Sequence, residues 1–471
     1  MRRWTKPVIV IAVFAFIAVA CSQGATTTTT TAAPVTTAAT TTTAAPGTTA
    51  ATTTTAAMPE VKFDVGVTAE PCDGGNPDHG CIYLGVIDDE SGPFAAASPA
   101  LVGGQKAFWA AANAEGGIAD AYDVAIPDDL VKDGQYKPDV TVQQYTSIAD
   151  SVAALAMLLG TPQGIATLDS LKADNTIAVP MTWWSGWGFT NTDQGLVLEF
   201  GTNYCFEAMN SVDWATQALP AAGRTLGTIG ILKYPGDYGD DYAAGAEVAA
   251  EADGLTVAWE QQLIPISAGG DPTQAEAVAK IAADPVDLVL VVSGPSELAP
   301  IVAGAAQVLG DKVPIFIGAS PTWNPGILQT AAAPAFELGI YYQSGFVGPW
   351  AYQSAGHAKM RATLGDVPGN FFFVAGWVSQ YALKAALEDA YASGDLTKAG
   401  IYAAAQTLTD VSYDGMMPTR SFAGDPNDVF PRQSLLSGID TTAVDGVSVV
   451  QDFFVGPTAS GYDFTQPCAL P

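Results

Sequence analysis

Asp88, Asp89 and Glu90 close a short apolar run in "GVIDDESGPFA" (85–95), directly before the turn Ser91-Gly92-Pro93. Three acids beside a turn can act as a catalytic carboxylate pair, a cation site or one wall of a binding cleft. Catalysis needs a base or nucleophile within reach, and the sequence shows no partner for that work. It holds no G-x-S-x-G elbow, no G-x-x-x-x-G-K phosphate loop and no H-E-x-x-H helix. The two histidines, His79 and His357, do not sit at ligand spacing with cysteines, so no metal is expected, and no cofactor motif is present. The acids are therefore expected to rim or line a cleft, with a solvated loop as the alternative.

The elements that must position such a cleft follow from hydrophobic periodicity. From Cys81 onward, strand-like and helix-like segments alternate. Strands are predicted at "CIYLGVI" (81–87), "DVTVQQYT" (139–146), "TIAVPMTWW" (176–184), "TLGTIGILKY" (225–234), "LTVAWEQQL" (255–263), "VDLVLVVSG" (286–294) and "VPIFIGAS" (313–320). Helices are predicted over 98–118, 161–174, 240–254, 271–284 and 295–310, and 148–160 reads as a helix or a helix passing into a strand. This alternation predicts an α/β fold with doubly covered parallel sheets. It is too long for one open sheet, and "GTNYCFEAMN" (201–210) looks like a boundary between two.

Ligands of open α/β sheets gather at the carboxyl ends of the strands. Those ends carry "DDESGPF", "GTPQG", "TWWSG", "YPGDYG", "SGPSE" and "ASPTWNP". Thr161, Pro162 and Gln163 open a helix, with Thr161 as candidate N-cap and Pro162 at the first helical position. Free N–H groups and the helix dipole there suit a carboxylate. Trp183, Trp184 and Trp187 supply apolar area and π faces for a cation, or else ordinary packing. Ser293, Ser320 and Trp323 follow later strands.

The chain has 471 residues, 48% of them hydrophobic, and a net charge of −30. That acidity speaks against a nucleic-acid partner or adhesion to anionic lipid. Arg2, Arg3 and Lys6 precede the apolar run Val8–Val19, which is short for a membrane span, so residues 1–21 are read as an export signal. The ending Ala18-Val19-Ala20-Cys21 resembles the lipobox of bacterial lipoproteins, which implies lipidation of Cys21 and anchorage to the outer face of the cell membrane. Residues 22–57 are almost wholly Thr, Ala and Pro. Such a segment cannot offset its ordering entropy and reads as a disordered tether, roughly 30 Å long as a flexible coil. Cys72, Cys81, Cys205 and Cys468 remain, an even number that suggests two disulfides in an exported chain. Three pairings are open. Proximity favours Cys72 with Cys81, which leaves Cys205 with Cys468.

The ordered set "YLGVIDDESGPFAAASPALVGGQKAFWAAANAEGGI", "LLGTPQGIA", "TIAVPMTWWSG", "ILKYPGDYGDDYAAG", "DLVLVVSG" and "FFFVAGWVSQYALKAALEDA" resembles the type I periplasmic binding proteins of the branched-chain amino acid class. The resemblance implies two doubly wound parallel-sheet lobes joined by a three-crossing hinge, with residues 58–205 and 346–410 in one and 206–345 and 411–471 in the other. It implies a monomeric, non-enzymatic receptor that takes a small polar solute, such as an amino acid, amide or urea-like molecule, and delivers it to the membrane subunits of an ABC transporter. It places Ser91, Phe94, Thr161, Thr182, Trp183, Trp184 and Ser185 at the ligand from the first lobe, and Tyr238 from the second. An amino-acid ammonium needs a carboxylate, for which Asp237 and Glu297 are the nearest candidates and Asp88 to Glu90 the alternative. A ligand-sensing ectodomain and an exported hydrolase are the competing readings.

Overall fold

The computed structural model describes residues 61–194, 196–367 and 369–470. The export signal, Cys21, the Thr/Ala/Pro tether and residues 58–60 lie outside the described residues.

The first sheet is built on β1 (Gly80–Asp88). Its neighbours are β2 (Tyr122–Ala125), β3 (Val131–Asp133) and β4 (Ala154–Leu159), and β5 (Ala178–Met181) pairs with β4, all in parallel. A two-residue edge at Val67–Thr68 is antiparallel. Every residue of β4 is buried, as a parallel sheet covered on both faces requires. The second sheet holds β6 (Thr228–Lys233), β7 (Thr256–Gln262), β8 (Leu288–Val292), β9 (Ile315–Gly318), β10 (Tyr341–Gly345), β11 (Ser434–Ile439) and β12 (Val447–Phe454), in the order β12-β11-β10-β9-β8-β6-β7. Only β11 is reversed within it, antiparallel to both β10 and β12.

The helices of eight residues or more among the described residues are α1 (Ser98–Ala114), α2 (Pro138–Ile148), α3 (Thr161–Asp174), α4 (Trp187–Gln194), α5 (Tyr204–Ala221), α6 (Asp237–Ala252), α7 (Ala275–Ala283), α8 (Pro295–Leu309), α9 (Ala355–Leu364), α10 (Phe371–Val378), α11 (Gln380–Ala392) and α12 (Lys398–Ala405). The chain forms the first sheet, crosses to build β6–β10, returns to lay α9–α12 beside the first sheet, and crosses again to add β11 and β12. This is the predicted α/β class.

One predicted strand is a helix. Residues 139–146 are rich in β-branched side chains, but Pro138 opens α2, and Thr141, Tyr145 and Ile148 bury one face at helical spacing. Side-chain burial at that period outweighs the weak β preference of Val and Thr. The boundary stretch 201–210 is also largely helical: Asn203 accepts from Phe206 N and caps α5.

Two features brace the crossings. Arg420 pairs with Glu199, both buried, and its guanidinium lies over the rings of Phe422 and Phe430. The pair ties the first crossing to the third. The Cys72–Cys81 and Cys205–Cys468 disulfides are both formed, with Cα separations of 4.9 and 6.3 Å. The second pins the chain's last segment to the start of α5. There Cys468 N donates to Ser185 Oγ, and Ala469 O accepts from Trp184 Nε1.

Helices α1 and α10 pack at glycines. A Cβ on Gly376 would lie 2.1 Å from Leu101 O, and one on Gly104 would lie 2.4 Å from Phe373 O. Gln380 and Gln105 both donate to Ala156 O of β4, so α1, α11 and the sheet are locked together beside the first lobe's strand ends. Gly376→Ala is expected to cost about 1–3 kcal/mol by overpacking, read as a lowered midpoint in chemical denaturation. An unchanged midpoint would show that the two helices can separate freely.

Candidate functional site

The carboxyl ends of the two sheets face each other across a cleft with an inner chamber and an outer mouth. The inner chamber encloses about 50 Å³. Its first-lobe wall is Phe94 and Ala97 before α1, Leu101 within it, Tyr136, the Leu159-Gly160 end of β4, the Met181-Thr182-Trp183 end of β5, and Phe371 and Phe372 of α10. Asp237, Tyr238 and Pro321 close it from the other side, and Tyr204, the first residue of α5, stands where the chain crosses between the two sheets. Phe94, Ala97, Pro321 and Phe372 also border the outer mouth, a cleft of about 780 Å³ that includes Tyr234, Ser267 and Glu297.

Each wall has a local cause. Asp89 accepts from Gly92 N at 2.5 Å and Phe94 N at 2.7 Å, which folds the Ser-Gly-Pro turn and sets Phe94 against Tyr136, ring centroids 5.0 Å apart. Asp133 accepts from Glu90 N, Ser91 Oγ and Gln135 N at 3.0, 2.5 and 2.8 Å, so one carboxylate holds both the Phe94 turn and the left-handed Gln135-Tyr136 turn. Asn370 caps α10 through Phe372 N and Phe373 N, and this starts the helix with its phenyl rings at the chamber. Gly160, at φ +94°, lets the chain turn from β4 into α3.

The polar groups converge at one point. Thr161 Oγ1 donates to Asp237 Oδ2 from across the cleft, and Thr182 Oγ1 lies 2.6 Å from the same hydroxyl. Asp237 is buried, and burial raises its carboxyl above the usual range. Among the described residues it forms no ion pair, and no Lys, Arg or His lines the chamber. Tyr238 packs on Tyr204 at 4.7 Å, and its hydroxyl reaches Thr322 Oγ1 at 3.1 Å and Ser293 O at 3.3 Å.

Phe94, Thr182, Trp183, Asp237 and Tyr238 thus line the chamber, and Thr161 stands directly behind it. Thr161 is the first residue of α3 and not its cap, which is Gly160 without a side-chain bond; the hydroxyl is turned to Asp237 instead. The other expected contacts lie elsewhere. Ser91 is exposed and serves Asp133, and Pro162 is exposed. Gln163 is buried behind Gly160. Trp184 packs on Trp187 in a separate core cluster. Ser185 donates through its N and Oγ to Asp241, and Ser293 Oγ bonds Gly294 O. Ser320 gives both N and Oγ to Glu207, each at 2.7 Å, and Trp323 Nε1 bonds Asp445 O. Ser320 and Trp323 border a second cavity of about 40 Å³, on which Phe371 also abuts. Asp88, bonded by Ser98, and Glu90 border an outer surface groove. Glu297 accepts from Tyr234 Oη at 2.5 Å and Ile266 N at 2.7 Å.

Sequence reasoning did not pick out Tyr136, Met181, Tyr204, Pro321, Phe371 or Phe372. A signal existed for two of them: the "NFFF" start of α10 puts an N-cap before three aromatic residues.

Residues 81–436 match the family model for periplasmic binding proteins. The chain belongs to that family. Members of the family are extracytoplasmic solute-binding components that work with membrane permease subunits. Among the described residues no helix is long and apolar enough to cross a membrane. Similar solved structures include a fatty acid ABC transporter substrate-binding protein from Thermomonospora curvata, at 23% identity and TM-score 0.73 over 85% of this chain and 97% of that one. Another is a branched chain amino acid ABC transporter from Thermus thermophilus with bound valine, at 12% identity and TM-score 0.66, covering 81% and 98%. A third is a solute binding protein of an ABC transporter from Rhodopseudomonas palustris HaA2 in complex with p-hydroxybenzoic acid, at 16% and 0.65, covering 80% and 98%. At these identities the likeness shows the fold. No curated protein sequence matches the chain.

Two outcomes follow from the site's bonding. Burial pushes the Glu207 carboxyl up to about 7, against the lowering effect of its bonds from Ser344 and Ser320. A carboxyl raised on folding binds its proton more tightly in the native state, so its contribution is full below the unfolded value near 4.5 and is lost as pH rises through about 7. The stability difference between wild type and Glu207→Gln should therefore shift against wild type between pH 4.5 and 7.5. A pH-independent difference would show that the carboxyl is not perturbed. Tyr238→Phe should cost about 1 kcal/mol of stability and Tyr238→Ala about 3–5 kcal/mol. Equal melting for the two variants would mean the ring is not packed.

Proposed function

We propose that the protein captures a small solute between its two lobes, closes on it, and hands it to the membrane subunits of an ABC transporter. In this reading the lobes are residues 58–205 with 346–410 and residues 206–345 with 411–471. Lipidation of Cys21 holds the protein to the outer face of the cell membrane, and the Thr/Ala/Pro segment is its tether. The observation that carries the reading is a chamber walled from both sides of a hinge and bridged by Thr161 and Asp237. A ligand touching both walls favours the closed state, which is the condition for ligand-dependent closure.

The solute fits the walls as an amphipathic molecule. Seven aromatic side chains, Phe94, Tyr136, Trp183, Tyr204, Tyr238, Phe371 and Phe372, face the chamber, while its polar groups gather at Thr182 and Asp237. A wholly polar solute such as urea would leave most of that surface without a complementary partner, so the reading moves from a small polar solute to one with an apolar body and a single polar head. Among the similar structures, one is named for fatty acids, one holds valine and one holds p-hydroxybenzoic acid, solutes that each combine an apolar part with polar groups.

The test is thermal unfolding of the purified globular body against a broad library of small amphipathic solutes, with X-ray scattering of the best. A binder at a hundredfold its Kd should add about 2.7 kcal/mol of stability and contract the radius of gyration, with the solute recovered unchanged. Turnover of the solute, or no stabilisation by any member, would end this reading.

A further inference from the structure

The polar end of the chamber is built for an anion, but the protein's own Asp237 already fills that place. The N-terminus of α3 offers free N–H groups and a positive dipole end, and Thr161 and Thr182 add two hydroxyls. A solute carboxylate entering here would meet Asp237 with no cation to separate the two charges. Like charges at that range in a buried site repel strongly, and an unpaired buried carboxylate is itself costly. The chamber that Asp237 lines is also walled by Tyr136, Trp183, Tyr204 and Tyr238, and aromatic faces attract cations. Trp183 is 6% exposed, and its Nε1 has no hydrogen-bond partner among the described residues.

Resting on the solute-binding reading above, we propose that the protein selects solutes carrying an amine or small methylated ammonium head on an apolar body, and rejects their carboxylate counterparts. Asp237 is the specificity-determining residue. The inner chamber, about 50 Å³, accepts the head group alone. The body runs out between Phe94, Phe372 and Pro321 into the outer cleft. Binding leaves Asp237 in place and completes it: the head group supplies the positive charge that the protein withholds, while Thr161 keeps its bond.

The experiment uses isosteric sets on two bodies: phenethylamine, 3-phenylpropionate and 3-phenylpropionamide, and butylamine, pentanoate and pentanamide. Each is titrated by tryptophan fluorescence and thermal shift into wild type and Asp237→Asn, which retains an acceptor for Thr161. In wild type the amine of at least one body should bind at least tenfold tighter than its carboxylate and its amide. In Asp237→Asn that amine should weaken at least tenfold and the carboxylate should gain. A carboxylate or amide binding as tightly as the amine overturns the proposal but leaves a solute-binding protein. Unchanged amine affinity in Asp237→Asn also overturns it. If no amine binds at millimolar concentration the proposal falls as well. The broader reading falls with it only if the wider library is silent too. Should Asp237→Asn fail to fold, the ranking within wild type decides.

Discussion

The hydrogen bond from Thr161 to Asp237 is the contact on which the rest of the arrangement turns. It joins the first turn of α3 to the first turn of α6 across the cleft and places a carboxylate at the one polar spot of an aromatic chamber. Buried charge without a partner is expensive. The energetic state of Asp237 is therefore coupled to whatever enters beside it, and closing the cleft and choosing an occupant become the same electrostatic question.

That contact can form only if the loops at both sheet ends are held in register. Much of the molecule's buried polarity is devoted to this. Asp89 and Asp133 fold the turns that carry Phe94 and Tyr136. Glu207 takes the backbone and side chain of Ser320 and the hydroxyl of Ser344, fixing the Pro321 loop. Asp241, one helical turn after Asp237, receives Ser185 from the other lobe. Glu199 and Arg420 tie two crossings. Removing either partner of such a buried pair costs about 3–5 kcal/mol because the survivor is left uncompensated. These five acids thus act as fasteners, whereas Asp237 reaches the chamber.

The order of elements could be read from the chain because each buried strand or amphipathic helix writes its period into the sequence. VDLVLVVSG is unambiguous, since a doubly covered strand has no polar face. Residues 139–146 were not, because Val and Thr suit a strand as well as a helix and only the burial of Thr141, Tyr145 and Ile148 decides. The site was readable in part for a different reason. Strand ends announce where a cleft lies, so Thr161, Thr182, Trp183 and Tyr238 could be found by position. They do not announce where a hydroxyl points. Ser91 and Ser320 look like ligand groups in sequence, but each is committed to a carboxylate far away along the chain. Tyr136 is brought in by a left-handed turn that Asp133 holds, and Phe372 by the way α10 closes on α1 at Gly104 and Gly376, neither of which a local periodicity records.

The bond between Cys205 and Cys468 joins positions separated by 263 residues, and its second member sits beside Trp184 and Ser185. It cannot form until the chain from Cys205 to Cys468 has reached an oxidising environment. Every strand of both sheets, the last ending at Phe454, precedes the bond's second member in the chain. The clasp between the start of α5 and the Trp184-Ser185 turn is therefore made from chain that follows every strand of both sheets.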